Sequence, residues 1–576
     1  MYDRYRQKHL QNLLPLFCLL LILTGCDLFG GGTTVHKTQL KAPPSKQTYT
    51  IPEIGLENLD LETLDPALAH DPASIRAIQM VFTGLVQLDD QLQVRPQLAQ
   101  SWSVSDDGLS WTFHLKPHLK FSDGTPLTSA DVAYSIDRAL QPATQSTIAP
   151  IALRLLKNAD DLLAGRVTTL IGSSIQTPND QTVVLITKEK AAYFPAMLTS
   201  SCSYIVEQSL IKTYTDKWTD HLGEGGGAGP FKVQQYTHHT SIIYVPNTNY
   251  YNAKPQLQKV TTIFYHSADE AYRDYQNNQL DLTTIPTSLT VDKRHKDYYQ
   301  VPQLWENYYT MNYLAKPFDN IKIRQAFALA IDKQSIADTV WKGSVIPTNH
   351  IVPQGMVGYT ANLTGPDGTT KLTGNVVKAK DLLQQGLKES NLTSSTDLPA
   401  ITLSYVSGVD NFDQEVAALI QQWQKVLGVT VTPDPITDYN TLLDKITATT
   451  NNSNGLQMWG LGWVAEYPDP QDWLSWQFGQ GAFNNNMNYG QNTSSHAAQQ
   501  QIIQKQMQDA DANTTESARL QSYQKAEQDI INDVGWIPIS QVTSTFLRTT
   551  SIVGITNNGE NLIPPDDWAH IYRVQA

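Results

Sequence analysis

The chain has 576 residues, of which 40% are hydrophobic and only 17% charged, and a formal net charge of −14. That length is too great for one ordinary core and requires two or three lobes of ordinary domain size, while the apolar content excludes a disordered chain. Acidity of this degree repels phosphate backbones, so nucleic acid is not an expected partner.

The N-terminus carries Arg4, Arg6 and Lys8, then an apolar stretch from Leu13 to Leu23, then Leu23-Thr24-Gly25-Cys26. A basic segment, a hydrophobic run too short to span a bilayer with ease, and small residues before a cysteine resemble a bacterial lipoprotein signal. The resemblance implies cleavage after Gly25 and acylation of Cys26; the other reading is an uncleaved N-terminal anchor. Either places the rest of the chain outside the cytoplasm. Losing Arg4, Arg6, Lys8 and Asp3 would move the formal charge from −14 to −16. Cys18 would leave with the signal and Cys26 would be lipidated, so Cys202 remains as a buried small hydrophobe or a free thiol. Residues 26–48, rich in Gly, Lys, Pro and Ser, read as a flexible tether, with order beginning near Tyr49.

Next in chain order, Trp111 to Leu115 alternates like a half-buried strand, and Lys116-Pro117-His118 is expected to turn it into a second arm, Leu119 to Phe121. Asp123-Gly124 marks a turn. Thr128 with Asp131 forms a capping-box pattern that opens a helix bearing Val132, Ile136 and Leu140 on one face. Phe231 to Val233 and Ile242 to Val245 suggest a hairpin across Thr237-His238-His239-Thr240. From 400 to 463 the pattern is strand, helix, strand, helix, strand. Ile401, Leu403 and Tyr405 alternate. Phe412, Val416, Ile420, Trp423 and Leu427 mark a helix face that stops at Gly428, and Val429 and Val431 begin the next strand. A helix near Tyr439 to Ile446 then leads into the apolar run Leu456 to Trp463. Such a pattern predicts a largely parallel α/β sheet, whose ligands lie beyond the carboxyl ends of strands, here just after Trp463.

The loop Gly462-Trp463-Val464-Ala465-Glu466-Tyr467-Pro468-Asp469-Pro470-Gln471-Asp472-Trp473 gathers three carboxylates among aromatics. Asp469 before Pro470 has the form of an N-cap and N1 pair, and Asp472 sits at N3, so both read as helix caps. Glu466 has no such local role. In a closed cleft its charge favours a cation such as an α-ammonium; a surface salt bridge serves the sequence equally well. Trp463 is either a wall for a ligand or a core residue, and Tyr308 to Tyr313 either lines the same cleft or packs within a sheet. Other motifs fail. Gly223 to Gly229 lacks the Lys-Ser/Thr of a phosphate loop and reads as a turn or hinge. Ser209-Leu210-Ile211-Lys212 has no accompanying Lys-Thr-Gly. His114, His118, His238 and His239 lack metal-ligand spacing.

Pro96 to Gly108, continued by Phe121 to Thr128 and Asp131 to Ser135, then Gly227 to Val233, Asn247 to Tyr251, Asp319 to Asp332 and Gly462 to Pro470, together resemble the oligopeptide- and dipeptide-binding proteins of bacterial ABC importers, the extracellular solute-binding family 5. The resemblance implies an α/β, two-lobed, periplasmic-binding-protein-like fold (type II, cluster C) with an extra subdomain. Lobe I would join 49–90, 227–305 and 539–576; the subdomain would be 91–226 and lobe II 306–538. A short peptide would lie extended between the lobes, hydrogen-bonded like an added strand, and the closed form would dock on permease subunits. Trp463 matches the family's ligand-packing tryptophan and Gly462 its neighbour with exposed backbone, and Val464 and Tyr467 belong to the same ligand-binding loop. Glu466 stands where peptide-binding members carry an aspartate that pairs with the ligand's amino terminus, and its extra methylene moves the carboxylate on the order of 1.5 Å. A monomer without cofactor, metal or catalytic residues is implied. Members also bind nickel complexes, oligosaccharides and opines, so ligand identity stays open. The rival readings are a secreted hydrolase using Glu466 with Asp469 or Asp472, and a peptide sensor that signals without transport.

Overall fold

The computed structural model describes residues 40–576 apart from Thr287, Thr290, Asp410 and Ala576. The expected signal sequence, Cys26 and most of the expected tether lie outside the described residues. Packing begins ahead of Tyr49. Lys41 bridges Val574, and the Gln47 side chain donates to the carbonyls of Ala42 at 2.7 Å and Arg573 at 2.9 Å. The last part of the expected tether is therefore fastened to the C-terminal end.

Alternating side chains build the sheet of lobe I. Thr48–Ile54 runs parallel to Lys259–Tyr265, which pairs with the expected hairpin of Phe231–Thr237 and Ser241–Pro246. Helix Pro72–Val81 covers this sheet. Asp71 caps it by accepting from the Ser74 N–H, and Ala77, Ile78 and Val81 enter a core shared with Phe231, Tyr244 and Trp568. Gly227 and Gly229 lie so close to the carbonyl of Val81 that a Cβ would meet it at 2.1 and 2.7 Å. The glycine-rich run is thus a site of backbone packing against that helix's end, neither a phosphate loop nor a free hinge.

The segment expected as the subdomain is built on a four-stranded antiparallel sheet. Ser110–Leu115 pairs with Ala99–Val104 on one side and Thr182–Ile186 on the other. The second arm expected at Leu119 to Phe121 does not form: those residues contribute only an isolated bridge between Lys120 and Pro126. One edge goes to the preceding strand across the Asp106-Asp107-Gly108 turn, and the other to Thr182–Ile186, a partner distant in sequence that local turn signals do not reveal. Helix Ser129–Leu140 starts at the expected capping box, with the Thr128 N–H donating to Asp131 at 2.8 Å, and Val132, Ile136 and Leu140 are fully buried. Cys202 lies in this core, where burial pushes its thiol pKa up to about 12, so it is an inert small hydrophobe.

A seven-stranded sheet of mixed direction runs from the segments expected in lobe I into those expected in lobe II. Ile401–Val406 pairs in parallel with Val431–Ile436 and with Met458–Val464; the latter runs antiparallel to Tyr298–Met311, itself antiparallel to Ile537–Arg548. The largely parallel expectation holds for the three strands joined by helices, because only those connections are crossovers. Helix Phe412–Leu427 ends at Gly428 with φ 65°, and buries Glu415, Val416, Leu419, Trp423 and Leu427. Phe412 and Ile420 sit at the edge of that face. Two strands run through the expected lobe boundaries: Tyr298–Met311 crosses 305/306 and Ile537–Arg548 crosses 538/539. They pair with each other, and their register shifts between Pro302 and Glu306. No helix among the described residues is long and apolar enough to cross a membrane.

Candidate functional site

The strand Met458–Val464 carries the loop of interest at its carboxyl end. Opposite pairs share a face: Trp305 with Val464 and Asn307 with Gly462 on one side, Glu306 with Trp463 on the other. A side chain at Gly462 would meet the Trp305 indole nitrogen at 2.6 Å, so glycine lets that ring lie over the strand. Trp305 and Val464 are 41% and 52% exposed, an apolar strand end open to solvent. Trp463, on the opposite face, is half-buried against the lobe II core and donates its Nε1–H to Asp472 at 3.1 Å.

Beyond the strand the loop is held by buried polar contacts. Asp469 caps the short helix Pro470–Trp473, accepting from the Gln471 N–H at 3.0 Å, and takes two bonds from Arg519 at 2.8 and 2.7 Å. Asp472 does not act as a helix cap. Its Oδ2 accepts from the Glu466 N–H at 3.0 Å as well as from Trp463. Burial and then the charge of Glu466 push its pKa well above the usual carboxylate range. Neither aspartate is free to join Glu466 as an acid/base pair: Asp469 is 3% exposed and ion-paired, and Asp472 is 1% exposed and spent on positioning.

Tyr467 faces away from the open strand end. It is buried in the subdomain core, stacked on Tyr193 with centroids 6.1 Å apart, bonded to Gln471, and reached by Arg154 at 3.2 Å. In this structure Tyr467, expected at the ligand, lies beyond the end of the strand and packs on Tyr193 and Arg154, joining the loop to that core. Tyr308, Tyr309 and Tyr313 are likewise core residues. Tyr308 stacks on Trp536 at 3.5 Å, and the hydroxyls of Tyr309 and Tyr313 donate to Glu415 and to the carbonyl of Asp533.

Glu466 itself is exposed and has no ion-pair partner among the described residues. Its neighbours nevertheless shed enough water to raise its carboxyl pKa, with Arg154 opposing the shift. A second carboxylate, absent from the sequence reading, stands near it. Leu304 donates its N–H to Gly559 at 3.0 Å and accepts from the Ala465 N–H at 3.0 Å, so Glu560 and Glu466 each follow directly on a backbone bond to one residue. Burial and then the charge of Glu466 raise Glu560 to about 7. Asn557-Asn558-Gly559-Glu560-Asn561 reads locally as a polar turn, and nothing in it signals a partner almost a hundred residues away. Burial and mutual repulsion make both carboxyls hold their protons more readily than ordinary glutamates, and a cation between them would relieve that repulsion.

Elsewhere Ser209 and Lys212 are exposed on helix Gln208–Tyr214, with the Ser209 hydroxyl donating to Glu207, so no activated nucleophile forms there. His238 is held between Asp60 at 2.7 Å and Asp220 at 3.3 Å.

The oligopeptide-binding protein OppA of Bacillus subtilis is 28% identical over 551 residues, covering 94% of this chain and 95% of its own. The dipeptide-binding protein DppE of the same organism is 25% identical over 499 residues, covering 86% and 88%. Among solved structures, the unliganded open form of MppA, a periplasmic murein tripeptide binding protein, superposes with a TM-score of 0.79 at 23% identity, covering 94% of this chain and 99% of that one. Residues 93–485 match the middle region that defines the bacterial extracellular solute-binding proteins, family 5, and by that match the chain belongs to this family.

Proposed function

We propose that this protein captures short peptides between its two lobes and delivers them to the permease subunits of an ABC importer, held at the outer face of the membrane by a lipid on Cys26. Glu466 carries the reading: an exposed carboxylate without an ion-pair partner among the described residues, at the end of a strand whose last side chains are open to solvent. A peptide's α-ammonium supplies the missing cation, Gly462 and Val464 offer backbone for an extended ligand, and Trp463 anchors the loop through Asp472. Tyr467 serves by fixing the loop to the subdomain. The names of the relatives, which bind oligopeptides and dipeptides, support peptide as the ligand class. No catalytic role is assigned, since Asp469 and Asp472 are both engaged in holding the loop. Lobe I is read as 49–90, 227–305 and 539–576, the subdomain as 91–226 and lobe II as 306–538, with the hinge in the ribbon that crosses 305/306 and 538/539.

The test is to purify the protein, denature it, and identify released small molecules by mass spectrometry. Short peptides with free amino termini are expected, and N-acetylated peptides are expected to bind poorly. Release of a sugar or metal chelate, with no binding of added peptides, would replace the ligand class and leave the fold.

A further inference from the structure

Lobe I contains a cavity of about 360 Å³ that the Glu466 loop does not line. Its walls are strand Thr48–Ile54, helix Pro72–Val81, the ends of strands Leu282–Thr284 and Ile537–Arg548, and residues 555–563. The lining is mainly apolar, with Ile51, Ala77, Met80, Phe546 and Ile563. Arg548 also lines it and is only 5% exposed. Two other buried arginines have carboxylate partners, Arg324 with Asp533 at 2.9 Å and Arg519 with Asp469 at 2.7 Å. Arg548 has none within 4.0 Å among the described residues. One Nη donates to the Asn557 side chain at 2.8 Å, the guanidinium lies 4.4 Å from the Tyr299 ring centroid, and its Nε has no partner. The neighbouring acid Asp281 is committed to Arg573 at 2.5 Å and to the Thr50 N–H at 2.8 Å. A second polar atom in the lining, the Tyr244 hydroxyl, is also buried without a partner. A buried guanidinium without a counter-ion is costly, by several kcal/mol in order of magnitude, and an anion brought by a ligand removes that cost.

We propose that this cavity is a second ligand site, distinct from the Glu466 cleft, for a small molecule with an apolar body and one carboxylate. The carboxylate takes the Arg548 Nε–H, and the body fills the space between helix Pro72–Val81 and the strand Thr48–Ile54. The volume lies at the lower end of the ligand-pocket range of about 300–1,000 Å³, which suits a body of about ten carbons. Because the walls include the strand ends leading from the hinge, an occupied cavity would stiffen the lobe I side of it.

The experiment is calorimetry on the full-length protein with phenylbutyrate and, as the uncharged comparison, phenylbutanol. Saturable one-to-one binding of phenylbutyrate is expected, weakened at least about tenfold by Arg548→Gln, with phenylbutanol binding indifferent to that change. Ala77→Leu narrows the cavity by three carbons while keeping the arginine, and is expected to weaken binding of both compounds at least about tenfold. Absence of saturable phenylbutyrate binding to the parent protein, or equal binding to Arg548→Gln, overturns the proposal. Should Arg548→Gln fail to fold, Ala77→Leu decides alone: weakened phenylbutyrate binding supports the site and unchanged binding overturns it.

Discussion

In the proposed site Glu466 and Glu560 face one ligand cation, and burial raises the proton affinity of both. Replacing Glu466 by glutamine removes the charge but keeps the shape, and peptide affinity is expected to fall about ten- to a hundredfold, the worth of a charge-assisted hydrogen bond in a partly desolvated site. Because burial raises the Glu466 pKa, affinity is lost on acidification at a higher pH than an ordinary glutamate would give. Glu560, raised to about 7, acts at the other end: as pH climbs through about 7 it ionises and adds attraction for the ammonium. Calorimetric titration of one peptide from about pH 5 to about pH 8 should show affinity rising throughout in the parent, with the upper part of the rise missing in Glu560→Gln. An unchanged profile would remove Glu560 from the site. Sequence reading finds Glu466 because its neighbours Asp469 and Asp472 have local roles to fill and it has none. Glu560 escapes because its partner is set by the bonds at Leu304, a tertiary fact.

At the level of elements, the loop depends on a buried ion pair and a short capped helix. Arg519→Met leaves Asp469 buried, 3% exposed, without its bidentate partner, and is expected to destabilise the protein by about 3–5 kcal/mol and to weaken peptide binding through the loosened loop. Thermal unfolding and calorimetry on one preparation check both effects. Deeper in lobe II, Glu306, Glu527, Lys333 and His350 form a buried group beside the central strands. Glu527 accepts from the Ile351 and Val352 N–H groups at 2.8 and 2.9 Å, and burial raises its pKa from 4.5 to about 7. The folded state therefore keeps a proton that the unfolded chain releases, and this group's contribution to stability falls as pH rises from about 4.5 to about 7. His350, lowered to about 4, and Lys333, lowered to about 7, both by burial first, give up protons on folding and oppose that trend. Glu527→Gln keeps the acceptor and removes the proton demand, so its stability gain should grow from near zero at about pH 4.5 to about 1–3 kcal/mol above about pH 7. Melting curves across that range test it. Legibility at this scale follows locality. The capping box at Thr128, the Gly428 stop and the Asp469 cap are written in three or four adjacent residues, whereas the second partner of Ser110–Leu115, the strand Thr182–Ile186, and the contacts of Tyr467 with Tyr193 and Arg154 are decided by residues far along the chain.

For the whole molecule, the expected lobe boundaries fall inside two long strands instead of in loops. Composition cannot show this, because no glycine- or proline-rich break accompanies the crossing at 305/306; the strand Tyr298–Met311 simply continues. A paired ribbon as hinge bends less freely than two separate linkers, and its motion must concentrate where pairing is irregular, between Pro302 and Glu306. That point is also where Leu304 is bonded to both Gly559 and Ala465, so the register shift, the Glu466 loop and the Glu560 segment are joined in one assembly through a single residue. In the proposed function a ligand ammonium at Glu466 offsets the repulsion between Glu466 and Glu560, and so favours the arrangement in which the ligand is enclosed. Peptide is therefore expected to reduce the radius of gyration in small-angle scattering and to slow amide exchange at Ala465, Glu466 and residues 557–560. Helix Ala497–Asp511, outside that assembly, should exchange unchanged. Exchange slowed evenly along the chain, with no change in radius, would mean that the ligand stabilises a fixed shape and that closure is not the signal read by the permease.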